Sequence, residues 1–297
     1  MVTSTVFPHA IAYVAVVVLA IHMLAAGLGI RIRALTDEGK PESVAVVVRS
    51  FIVLAFAVPL SAIAVIALCR LSGQAAAALL LAAISVGPPT LASARASDRP
   101  LATALLLFTS APAAVMIPCW VWALGRGFGP AVDVEPARAM GLVLVAVTVP
   151  LALGLAVRQL ADRVAARWAP RLDLIAIGGL TALVALSLIW AAPALPRGGA
   201  GIASAIAVVL VLLAAAGLSR WAAGGDPTSD ATVGEAAIVG NPAQALALVA
   251  VLFPDPAAIA FVSAFVIARL LAHRLYQKAG RSRRVQRHRA PLRQRLA

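Results

Sequence analysis

Ala231 to Phe253 reads ATVGEAAIVGNPAQALALVAVLF, a run apolar enough to cross a bilayer yet interrupted halfway by Gly240-Asn241-Pro242. Proline removes a backbone donor and crowds the preceding turn, and glycine relaxes the chain, so amides and carbonyls around positions 236 to 243 lose their helical partners. Hydrocarbon cannot satisfy them. Protein, water or a bound solute must, which points to a substrate or ion site near the midplane of such a segment. A second stretch has the same form: Gln74 to Ser93, QAAAALLLAAISVGPPTLAS, is interrupted by Gly87-Pro88-Pro89.

The composition around these stretches is that of an all-α integral membrane protein. Of 297 residues, 62% are hydrophobic and 12% charged, and mean hydropathy is +0.97. The net charge of +13 is spread over short loops and gathers after Arg269, with no nucleic-acid-binding motif. Basic flanks of membrane spans account for it, so no nucleic-acid partner is expected. Cys69 and Cys119 lack CxxC spacing and read as small apolar side chains. His9 and His22 stand alone, without HExxH, so neither a resident metal nor another cofactor is expected. Trp120, Trp122, Trp168, Trp190 and Trp221 fall near span ends and fit the interfacial aromatic belt. The opening MVTSTVFPHA has no positive n-region, so the first apolar run reads as a permanent span rather than a signal peptide.

A span needs roughly 20 apolar residues, and nine runs fit: Ala10 to Ile30, Val44 to Leu68, Gln74 to Ser93, Leu101 to Leu124, Ala139 to Val157, Leu172 to Leu195, Gly201 to Ala222, Ala231 to Phe253, and Pro256 to about Ala272. Charge sorts this set independently, because cytoplasmic loops hold the excess of Lys and Arg. One side receives Arg31, Arg33, Lys40, Arg49, Arg95, Arg99, Arg158, Arg163, Arg167, Arg171 and Arg220; the other has only Arg70, Arg126, Arg138 and Arg197. The basic run from Arg269 through Arg295 falls on the richer side. The expected topology has the N-terminus outside and the C-terminus in the cytoplasm; the Ala, Arg and Val bias suits a GC-rich bacterial genome, and the expected location is a bacterial inner membrane.

In that topology spans three and eight run in opposite directions, and each is followed by one more span. The expected architecture is an inverted repeat of about nine helices with spans three and eight as discontinuous crossing helices, the sequence-level mark of a secondary transporter. Repeat one covers about 10–124 and repeat two about 139–275, within a membrane domain of 1–278. A basic tail, 279–297, follows and suits anionic headgroups.

The carbonyls ending each first half-helix favour a cation, and the N-terminus of each second half favours an anion. Ser85, Thr90, Ser93, Asn241 and Gln244 are the polar side chains near the two breaks. Each reads either as a solute contact or as a hydrogen-bonding partner of the loosened backbone. Glu235, five residues before Gly240 and so about 7 to 8 Å from the break, is the acidic residue well inside a span. It reads either as an ion or proton site or as a first-turn carboxylate facing headgroup water.

At these residues the chain resembles the bile acid:sodium symporter family, of the superfamily that includes arsenite and auxin carriers. MLAAGLGIRIRAL (Met23 to Leu35), AVPLSAIAVIAL (Ala57 to Leu68), ISVGPPTLASA (Ile84 to Ala94) and AAIVGNPAQALALVAVLFPDP (Ala236 to Pro256) carry the resemblance. It implies an inverted repeat with a panel and a core domain, and a small-molecule substrate such as an organic anion. Sodium-coupled members carry a Pro-Gly-Gly-Thr-x-Ser-Asn pattern in the first crossing helix. Here Pro88-Pro89-Thr90-Leu91-Ala92-Ser93-Ala94 keeps the Ser and loses the Asn. In the second, such members have a Glu four residues before a Gln-Asn pair. With Asn241 aligned, Ala236 and Gly240 stand in those two ligand positions, and Glu235 lies one residue off, about 100° around the helix. The sodium ligands therefore do not carry over residue by residue. Coupling through Na+ held by backbone carbonyls, through H+ on Glu235, or by the solute gradient alone all remain open. An embedded enzyme would need a carboxylate pair, a Ser-His pair or HExxH, which the sequence lacks; a membrane sensor or scaffold is the other reading.

Overall fold

Inside hydrocarbon every backbone donor and acceptor must be paired within the chain, so long runs of Ala, Leu, Val and Ile fold as helices. The computed structural model describes residues 3–30, 41–71, 73–85, 99–128, 135–195 and 198–294, with side chains described at all of these except 3–6, 41–43, 99, 124, 128 and 280–294. Among these residues the protein is all-helical, and eight helical stretches are long and apolar enough to cross a membrane. Span one is α1 (Thr3–Gly29). Span two is α2 (Pro41–Ile52), a π-turn (Val53–Ala57) and α3 (Val58–Leu68). The described part of span three is the short α4 (Gly73–Ile84), and span four is α5 (Arg99–Phe128). Span five is α6 (Pro136–Val143), a π-turn (Leu144–Thr148) and α7 (Val149–Leu160). Span six is α8 (Asp162–Ala191), ending in a 3-10 turn, and span seven is α9 (Gly198–Ala222). Span eight is the pair α10 (Pro227–Ile238) and α11 (Pro242–Leu252), and span nine is α12 (Pro256–Gln294).

Two boundaries differ most from the sequence-based expectation. Helix α8 begins at Asp162 rather than near Leu172, which places Asp173 well inside a helix, with its Oδ1 3.9 Å from His22 Nδ1 on α1. Glu235 is therefore not the lone carboxylate within a span. Helix α12 runs on to Gln294 without a break at 278, because Arg, Gln, Lys and Ala are good helix formers and can extend a helix beyond its apolar part.

Both π-turns precede a Val-Pro pair, Val58-Pro59 and Val149-Pro150. A proline ring clashes with the carbonyl four residues back, and a widened turn relieves that contact. At span two the carbonyl concerned, that of Ala55, accepts a hydrogen bond of 3.2 Å from the Trp120 indole Nε1–H on α5. Trp120 thus serves an interior bond rather than the interfacial belt.

Burial separates centre from rim. The apolar window of span eight is 89% buried within the protein, against 28% for each of spans five, six and seven, whose outward faces carry exposed Leu160, Leu174, Ile189 and Leu213. Helix α1 lies against α7, α8 and α11, while α4 lies against α11 and α12. Span eight is therefore the element the others surround.

Candidate functional site

Helix α10 is set by its cap. Asp226 accepts from the Ser229 N–H at 2.8 Å and from the Thr228 hydroxyl, with Pro227 at the first helical position. Partial burial pushes the Asp226 carboxyl up, but these hydrogen bonds outweigh it and hold it down at about 2. Asp226 is the cap and Asp230 the first-turn carboxylate, so Glu235 sits in the third turn, half-buried and clear of the first-turn position.

The helix ends at Val239, whose N–H bonds Glu235 O at 2.9 Å; Gly240 then takes φ +61°, the left-handed conformation that glycine adopts without steric cost. Asn241 follows in extended conformation, and its side-chain Oδ1 accepts from the Gln244 N–H at 3.1 Å, capping α11. The Asn241 N–H turns outward and donates to Ser85 O, one residue past the end of α4, at 2.9 Å. A main-chain bond thus joins the break in span eight to the end of the first half of span three. Measured at 1.5 Å per residue, α4 to Ser85 and α10 to Gly240 each cover about 18 to 20 Å, so the two meet near mid-depth.

The side chains chosen from the sequence are partly brought together. Ser85, Gly240, Asn241, Pro242 and Gln244 converge, and all five are buried. Ser85 Oγ donates to Leu81 O at 2.7 Å, so Ser85 and Asn241 both serve backbone. Gln244 lines a small cavity with Phe51, Ile84, Thr109, Met116 and Trp120, with room for about one water. Glu235 stands further down α10. Gly87, Pro88, Pro89, Thr90 and Ser93 lie outside the described residues. Among the described residues no group of three His, Cys, Asp or Glu could hold a metal ion.

Arg269 was missed as a site residue because it opens the basic run expected on the cytoplasmic side. The structure corrects that. Arg269 is 1% exposed, thirteen residues into α12 and so about 20 Å from its start. A Cβ on Gly240 would lie 3.0 Å from Arg269 Nη1 and 2.4 Å from Ser85 O, so guanidinium and carbonyl both press on this glycine. Its charge centre is 4.8 Å from the Phe265 ring, and Nε and Nη1 have no hydrogen-bond partner. A central arginine costs about 2.5–3.5 kcal/mol on insertion scales. Among the described residues no carboxylate pairs with it to offset that cost.

A second cluster ties spans seven, eight and nine together. The Tyr276 hydroxyl donates to Asp230 Oδ1 and lies 3.2 Å from Ser219 Oγ; Arg220 stacks on the ring at 4.9 Å, and Gly234 leaves room for it. A hydrogen bond to a charged group is worth about 1.5–3 kcal/mol. Tyr276→Phe should lower the melting temperature by several degrees, and an unchanged melt would show that ring packing alone holds this junction. At the opposite end of the helices a wider cavity opens between α3, α4, α9 and α12, lined by Arg70, Gln74, Ser204 and Phe261.

No curated protein matches the chain. Residues 16–195, more than half of the chain, match the Sodium Bile acid symporter family. The matched stretch contains α4 and ends before α10. With a helix that breaks at mid-depth in the most enclosed position of a multi-pass bundle, this match makes the chain a membrane transporter belonging to the Sodium Bile acid symporter family.

Proposed function

We propose that the protein is a secondary carrier that moves a small organic solute, with an organic anion as the class, across the bacterial inner membrane by alternating access. The observation that supports it most is the 2.9 Å bond from the Asn241 N–H to Ser85 O. It joins the break in span eight to the end of α4 in the interior and leaves the carbonyls ending α10 without helical donors. Such dipoles are what a travelling solute or ion can use. In this reading spans one to four and five to nine form the inverted repeat, the N-terminus is outside, and the basic C-terminal segment meets anionic headgroups.

Uptake of labelled organic anions into proteoliposomes is the test, with flux above protein-free vesicles expected for at least one carboxylate or sulfonate. No flux from folded protein would favour the sensor or scaffold. Since Glu235 is one residue out of the ligand position and half-buried in the third turn, Glu235→Gln should retain most of the flux under a sodium gradient. Abolished flux would make that carboxylate the proton or ion site.

A further inference from the structure

We infer that the Arg269 guanidinium is a tethered cation standing where sodium symporters use a bound Na+, and that this protein needs no Na+ to hold its crossing together. A helix C-terminus concentrates negative partial charge on its unpaired carbonyls. Two such ends meet here, α4 stopping at Ile84 and α10 at Ile238. In α10 the Gly240 N–H bonds back to Glu235 O, the Asn241 N–H leaves for Ser85 O, and Pro242 has no N–H. The carbonyls of Ala236, Ala237 and Ile238 are thereby deprived of their helical donors. At the N-terminus of α11 Pro242 has no N–H and Asn241 Oδ1 takes that of Gln244, so the carbonyls freed at the break outnumber the free amides and the local polarity is negative.

A positive charge belongs at such a place, and the chain supplies one. Arg269 lies wholly buried against Gly240, and no carboxylate among the described residues forms an ion pair with it. Its compensation comes from the surrounding dipoles and the face of Phe265. The apolar residue at a neighbouring position agrees. The position aligned with the ligand Glu of sodium-coupled relatives is Ala236, fully buried and apolar. A site with a fixed cation and a bound Na+ side by side would be penalised by their repulsion; here the aligned position is apolar and a guanidinium lies beside the break.

The inference rests on the carrier reading of the crossing, but its test needs no flux. Purified protein in nanodiscs is melted in NaCl and in choline chloride at equal ionic strength, and radiolabelled Na+ binding is measured directly. The wild type should melt at one temperature in both salts and bind no Na+ saturably. Arg269→Gln should melt lower and recover part of the loss when ethylguanidinium is added, while Arg269→Lys, which keeps the charge, should lie between the two. Saturable Na+ binding or a Na+-specific rise in the wild type overturns the inference, as does Arg269→Gln melting at or above Arg269→Lys. If Arg269→Gln does not fold, the wild-type titration and the lysine variant decide. A protein without flux but with these melts leaves the tethered cation standing and removes the carrier reading alone; flux driven by bound Na+ does the reverse.

Discussion

Gly240→Ala is expected to lower the melting temperature by roughly 5–10 °C and to abolish flux, a loss of about 3 kcal/mol or more. Two costs combine. A side chain at φ +61° costs about 1–2 kcal/mol, and the new methyl would stand 2.4 Å from Ser85 O, a backbone atom that cannot swing aside. Relief requires the Asn241 N–H to part from Ser85 O, which separates the end of α4 from the break in span eight and pushes against Arg269 at 3.0 Å. Gly217→Ala on α9, where nothing lies within 4 Å, is the control and should melt with the wild type. If Gly240→Ala also melts with the wild type, the crossing is not closed over this glycine.

The break at Gly240 was legible because its cause is local: glycine, asparagine and proline in sequence undo a helix whatever packs around them. Span number was nearly legible for the same reason, since hydrocarbon imposes helices of a set length. The rest of the expected span three, beyond Ser85, lies outside the described residues. What could not be read was anything that depended on which helices meet. Arg269 sits at the edge of a basic run, and along the chain nothing distinguishes it from Arg274, which is exposed. Only the packing of α4, α10 and α12 buries it. Trp120 reads as interfacial until α5 lies against the π-turn of span two and a proline-freed carbonyl appears beside it. His22 and Asp173 come from spans far apart in sequence and face one another only because α8 starts ten residues before its apolar part. One signal was available: the repeated Val-Pro-Leu at 58–60 and 149–151, each in mid-span, announces the two widened turns.

The second large effect is expected where α1 crosses α7. Membrane helices associate without a hydrophobic driving force between them, so small residues that let backbones touch set the interface. Here Gly27 lies on Gly154. A Cβ on Gly27 would come within 2.4 Å of Leu151 O, and one on Gly154 within 2.5 Å of Leu24 O and 2.9 Å of the Gly27 Cα. Every obstructing atom is backbone, so the helices must move apart and lose close packing along the crossing. Either Gly27→Ala or Gly154→Ala should cost about 2 kcal/mol or more, at the upper part of the range for overpacking. Once separated by the first methyl, the helices have room for the second. The double variant should therefore melt close to the worse of the two singles, a coupling of about 2 kcal/mol in a double-mutant cycle. Gly178→Ala, on α8 with nothing within 4 Å, should be silent. Because α1 also lies against α11, the displacement reaches the second half of span eight, and flux should fall in both single variants. Additive losses in the double variant would mean that the two glycines do not share one contact, and that α1 is held against α7 elsewhere along its length.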